Sequence, residues 1–127
     1  MKKQLIFLSV AVFLVSAYSV FQFGLADLAQ GAQHAEVSFA NDIRPLLQNR
    51  CASCHTGKFV NQGLDMGTYD SLMAGSEYGP VIVPGDANGS LLVEKVTSGE
   101  MPKRGPKLTP AQIALIVDWI NAGAPDN

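Results

Sequence analysis

The chain has 127 residues, a formal net charge of −2 at pH 7, two cysteines and two histidines. That length fits one domain. The mildly acidic balance carries no nucleic-acid footprint.

The N-terminus reads as an export signal. "MKK" supplies a short positive region, and an uncharged, mostly apolar run follows from Gln4 to Ala26. Small residues at the −3 and −1 positions occur in "GLA" and in "VSA". Cleavage after Ala26 is favoured, because Asp27 then opens a polar stretch. The competing reading is an uncleaved anchor, since the 22 residues from Leu5 to Ala26 can span a bilayer. No cysteine lies near the N-terminus, which excludes a lipid-attached form. Either way the remainder is expected on the exported side, in a bacterial periplasm, soluble or anchored by residues 1–26. Loss of Lys2 and Lys3 leaves seven basic against eleven acidic residues, about −4.

Residues 27–38 are rich in Ala and Gln, with little periodicity, and read as a linker. His34 lies there, as a solvated side chain. The folded domain is expected over residues 39–127. In "NDIRPLLQNRC", Asn41 or Asp42 is the expected N-cap, Pro45 is confined to the first turn, and Ile43, Leu46 and Leu47 share a face. This helix leads into Cys51. "TYDSLMAG" reads as a short helix capped by Thr68 and ended by Gly75. "GPVIVPGDANGS" is an extended loop. "SLLVEKVTSG" is a third helix with Leu91, Leu92 and Val96 expected inside. In "TPAQIALIVDWINAGAP", Thr109 caps, Pro110 takes the first helical position and Gln112 completes a capping box. Ile113, Ile116, Val117 and Ile120 form its apolar stripe, broadened by Leu115 and Trp119; Gly123 ends it. The fold class expected is all-α, with long Gly/Pro loops.

Four such helices bury little apolar surface for the entropy they must offset. A large apolar cofactor held within them would make up the shortfall. The place to hold it is "CASCH", Cys51 to His55, which contains both cysteines and one histidine. The loop those cysteines could close is too small for a useful staple, and free thiols do not persist on the oxidising side of the membrane. Structural zinc would need a fourth ligand, for which only His34 remains, and adjacent Cys54 and His55 are awkward joint ligands. Thiol–disulfide exchange usually sits at a helix start after a strand, and no strand pattern precedes this motif.

Haem meets every constraint. Two thiols add across its vinyl groups and become thioethers, and His55 then lies where its imidazole can bind iron. A sixth ligand remains to be found, and methionine is frequent in that role. Met66 and Met73 lie in or beside the short helix and read as core filler. Met101 sits in the polar loop "SGEMPKRGP", 46 residues after His55, with no apolar neighbour in sequence, and Pro102 follows it. Met101 is the ligand expected.

The ordered set "DIRPLL", "CASCH", "GLDM", "VIVPG", "SLLVEKV", "EMP" and "KLTPAQIALIVDWINAGAP" resembles a small class I-type cytochrome c, in particular the planctomycete-type cytochrome c domain, over about residues 39–125. The resemblance implies a cytochrome c-like fold around one haem c, carried by Cys51, Cys54 and His55 with Met101 as distal ligand. That family is best known as a module of larger proteins, so no partner follows from it. The function expected is single-electron transfer by an exported mono-haem cytochrome that is not an enzyme by itself. The alternatives are a haem sensor or catalytic haem with a displaceable Met101, and a non-haem thiol–disulfide module. Lys103, Arg104 and Lys107 interrupt an acidic domain, so the redox partner is expected to be acidic and to dock there.

Overall fold

A computed structural model describes residues 36–58 and 60–127. The export signal or anchor, most of the linker and His34 lie outside the described residues. Residues Glu36–Asn127 form one compact unit, helical and without a strand among the described residues. A turn of π-helix, Phe39–Ile43, opens it and runs directly into α1 (Arg44–Arg50). Next come α2 (Ala52–His55), a 3₁₀ turn at Asn61–Gly63, α3 (Tyr69–Ala74), α4 (Leu91–Thr97) and α5 (Pro110–Asn121).

The first helical segment starts earlier than its sequence suggests. Ser38 is the cap: its hydroxyl accepts from the Asn41 amide, and its own amide donates to the Asp42 carboxylate at 2.9 Å. Asp42 is therefore the reciprocal partner of the cap rather than the cap itself. Pro45 falls within the first turn of α1, where no amide is missed. Thr68 and Thr109 both cap as expected, each in a reciprocal capping box.

The two ends of the unit are stitched together. Ala40 N–H and the Ser38 hydroxyl both donate to the Asn127 carbonyl, at 2.9 and 2.8 Å. Phe39 packs edge-on to Tyr69 at 5.1 Å between ring centroids and lies 5.6 Å from Trp119. The Tyr69 hydroxyl donates to Ala124 O at 2.7 Å and Trp119 Nε1 to Pro125 O at 2.9 Å. These polar tips are satisfied while the Trp119 ring is fully buried and the Tyr69 ring partly so, as buried aromatics require. On α5, Ile116, Trp119 and Ile120 are fully buried. Ile113, Leu115 and Val117 are only half-buried, so the buried stripe is narrower than the sequence implies.

The loop from Pro80 to Ser90 has no regular secondary structure and is held by backbone bonds together with one buried hydroxyl. Val81 and Ile82 enter the core. Ser90, 1% exposed, donates from its hydroxyl to Asp86 O at 2.8 Å and accepts from Val83 N at 2.9 Å. Gly85 N donates to Ile120 O, anchoring the loop on α5. Because this loop leads into α4, its geometry sets where α4 lies. Ser90→Ala would leave the Val83 amide without its partner, so a loss of about 1–2 kcal/mol is expected in chemical denaturation. An unchanged midpoint would show that the hydroxyl is not what holds the loop.

Candidate functional site

The chain makes a sharp local break to display its cysteines. α1 ends at Arg50, and Cys51, with φ −121°, departs from helical geometry before α2 begins. Cys51 N donates to Leu47 O at 2.8 Å, and His55 N to Cys51 O at 3.0 Å. The five residues thus form nearly one continuous turn, with Cys51 half-buried, Cys54 exposed and both thiols free.

The stretch after the motif folds back over His55. His55 Nδ1 lies 3.2 Å from Leu64 O, and Met66 N donates to His55 O at 2.7 Å. A carbonyl only accepts, so Nδ1 carries a proton in this contact, and the tautomer it selects is the one with its lone pair on Nε2. Burial, with the neighbouring Cys54 second, pushes the Cys51 thiol up to about 11.

Cys51, Cys54 and His55 line a cavity of about 700 Å³, within the range typical of cofactor sites. Leu64 and Met66 continue the same wall. Val81, Leu92, Val96 and Met101, on the Pro80–Ser90 loop, α4 and the loop beyond, contribute the other residues that matter here. Leu92 N donates to Val81 O and Met101 N to Lys95 O, both at 2.9 Å, so this second group is itself tied by backbone bonds.

Several placements differ from the sequence reading. Met101 has apolar company after all: it is half-buried and packs against the core. Its neighbours come from distant sequence, invisible in the polar loop around it. Met66, read as core filler, is 5% exposed and also lines the cavity, so two thioethers reach it. Met73 packs on the core and does not line it. Leu91, expected inside, is 38% exposed at the cavity's edge. Lys103 and Arg104 border the cavity, whereas Lys107 does not; its ammonium donates to the Pro102 carbonyl. Arg50 also lines the cavity, a role its sequence position gave no reason to expect. No group of three or more His, Cys, Asp and Glu side chains that could hold a metal ion occurs among the described residues. None of their helices is long and apolar enough to cross a membrane.

Residues 51–105 match the family model described as Planctomycete cytochrome C. No curated protein and no solved structure gives a significant match.

The raised thiol has a direct chemical consequence. A higher pKa means less thiolate at pH 8, and the thiolate is the nucleophile. In the unmodified chain, Cys54 should be alkylated by iodoacetamide at pH 8 at least about tenfold faster than Cys51. Peptide mapping of partly labelled protein would read this, and equal labelling would show that Cys51 is not shielded.

Proposed function

We propose that this chain, which carries a planctomycete-type cytochrome c domain, is an exported mono-haem carrier of single electrons. Cys51 and Cys54 would be the thioether anchors, and His55 and Met101 the axial ligands. The observation that carries the reading is the shared cavity, which gathers both thiols, an imidazole with a free Nε2 and a thioether among apolar side chains. Those donor types and that apolar lining fit a haem. When bound, haem supplies a one-electron couple at its iron.

The chain's own residues then have separable tasks. Cys51, at the cap of α2, and Cys54, within it, would hold the haem covalently. Leu64 O fixes the tautomer and orientation of His55 and raises its basicity, the usual role of a second partner on a ligating histidine. Leu64, Val81, Leu92 and Val96 exclude water. If His55 and Met101 both bound the iron, they would leave no position there for a substrate, which fits a domain that moves electrons and is not an enzyme by itself.

Met101 is favoured over Met66 by connectivity. Met66 is bonded through its amide to His55 itself, and so belongs to the wall that carries the imidazole. Met101 is bonded to α4 through Lys95 O and approaches from separate chain. A second ligand opposed to His55 would have to come from separate chain, which suits Met101. The thiol-exchange alternative is disfavoured by Cys51, whose pKa moves opposite to what an attacking thiol needs. Export agrees with the apolar N-terminal run and with thioethers, which survive an oxidising compartment.

Cys51→Ala combined with Cys54→Ala should give a protein that yields its colour to acid acetone; retention of haem by that double variant would refute thioether attachment. Met101→Ala should abolish the weak long-wavelength sulfur-to-iron band of the oxidised protein and lower its potential, whereas Met66→Leu should keep the band. The reverse pattern would move the ligand to Met66. The reduced wild type should not bind carbon monoxide; binding would favour the sensor.

A further inference from the structure

We propose that the mouth of the cavity is the docking surface for an acidic redox protein that also presents an apolar contact. The inference rests on the electron-carrier reading and names the kind of partner that reading requires.

The charge of the domain is divided in space. Residues 36–127 contain seven basic and ten acidic side chains. Four of the basic ones, Arg50, Lys95, Lys103 and Arg104, line the cavity, against one acidic residue, Glu100. Three basic and nine acidic residues remain for everything else. Lys95 is already engaged, its ammonium 2.9 Å from Glu100 and 3.3 Å from Glu94. Arg50, Lys103 and Arg104 make no ion pair among the described residues. The positive rim is thus these three groups, drawn from two places 53 residues apart in the chain and brought together by the fold. Lys107, which belongs to the same basic cluster in sequence, is turned to the Pro102 carbonyl and is not part of it.

An independent observation concerns apolar surface. Three large hydrophobic side chains are exposed among the described residues: Tyr78 at 76%, Val83 at 41% and Leu91 at 38%. Tyr78 and Leu91 both line the cavity. Leu91 lies in the first turn of α4, the helix whose Leu92 and Val96 are buried, and Tyr78 is the more exposed of the two. An interface in which a small apolar centre is ringed by charge suits a short-lived complex: the charges raise the encounter rate and the apolar contact sets the final orientation.

Two reagents test the parts separately. Hexacyanoferrate(III), a small anion, takes one electron from the reduced domain and becomes hexacyanoferrate(II) as the domain becomes oxidised. If net charge governed approach, an acidic domain would repel this anion and its rate would rise with salt. A positive rim predicts the opposite, a rate that falls as ionic strength goes from about 10 mM, where the screening length is about 30 Å, to about 1 M, where it is about 3 Å. Arg50→Glu, Lys103→Glu and Arg104→Glu should each slow the reaction about threefold or more at low salt. Arg44→Glu, the same charge change on an exposed residue outside the cavity, should slow it far less. Reduced flavodoxin, an acidic protein that donates one electron, reads the apolar part by reducing the oxidised domain. Tyr78→Ser and Leu91→Ser should slow that reaction by a factor several times larger than any change they cause in the hexacyanoferrate rate. A hexacyanoferrate rate that rises with salt, or an Arg44→Glu effect equal to the rim effects, would overturn the charged docking surface. Flavodoxin rates insensitive to Tyr78 and Leu91 would overturn the apolar contact. A preparation that carries no covalent haem, read from its absorption spectrum after denaturation, would sink the electron-carrier reading itself, whatever its thiols do to hexacyanoferrate(III).

Discussion

The pair of hydrogen bonds between His55 and the segment 64–66 organises the rest of the site. One runs from the imidazole Nδ1 to Leu64 O, the other from Met66 N to His55 O. Each contributes only about 1 kcal/mol to stability, so their importance is directional. They fix which ring nitrogen is free, turn the chain after the motif back over α2, and place Met66 on the histidine side of the cavity. Everything that must face His55 then has to come from later in the chain, from the Pro80–Ser90 loop, α4 and the loop that holds Met101.

That later segment is positioned by backbone rather than by charge. Leu92 N to Val81 O, Met101 N to Lys95 O and the buried hydroxyl of Ser90 set its shape. The ion pairs of Lys95 with Glu94 and Glu100 are partly exposed and contribute little, about 0–1 kcal/mol each. The cavity between the two stretches has a cost of its own. Side chains that line a void lose dispersion partners on one side. A group that fills the space and binds only the folded chain stabilises the fold by mass action. In a domain of this size, with no disulfide among its described residues, a group bound there would couple loading to folding.

Sequence reading succeeded where the physics is local. Thr68, Thr109, Pro110, Gly75 and Gly123 mark helix ends through contacts within a few residues, and the structure has helices ending there. The Cys51–His55 motif is visible as a motif because it lies within five residues, but its spacing alone leaves zinc, thiol exchange and haem open, and compartment and flanking elements were needed to choose among them. The readings that failed depend on contacts across the chain. Asp42 has the composition of a cap, yet Ser38 precedes it and takes that role. Leu91 fits the apolar pattern of α4 but falls at the cavity's edge, and helical periodicity does not say where a cavity opens. Met101 lies in a polar loop by sequence and against the core in space. Arg50 could be joined to Lys103 and Arg104 only once the fold had brought α1 beside the Met101 loop.

The central claim is that Cys51 and Cys54 hold one haem covalently at this cavity. The most direct measurement is the intact mass of the protein recovered from an exporting host and denatured before analysis. The account predicts the mass of the chain plus one haem, retained without its fold. The mass of the bare chain, or of a chain lighter by two hydrogens because Cys51 and Cys54 had closed a disulfide, would contradict it.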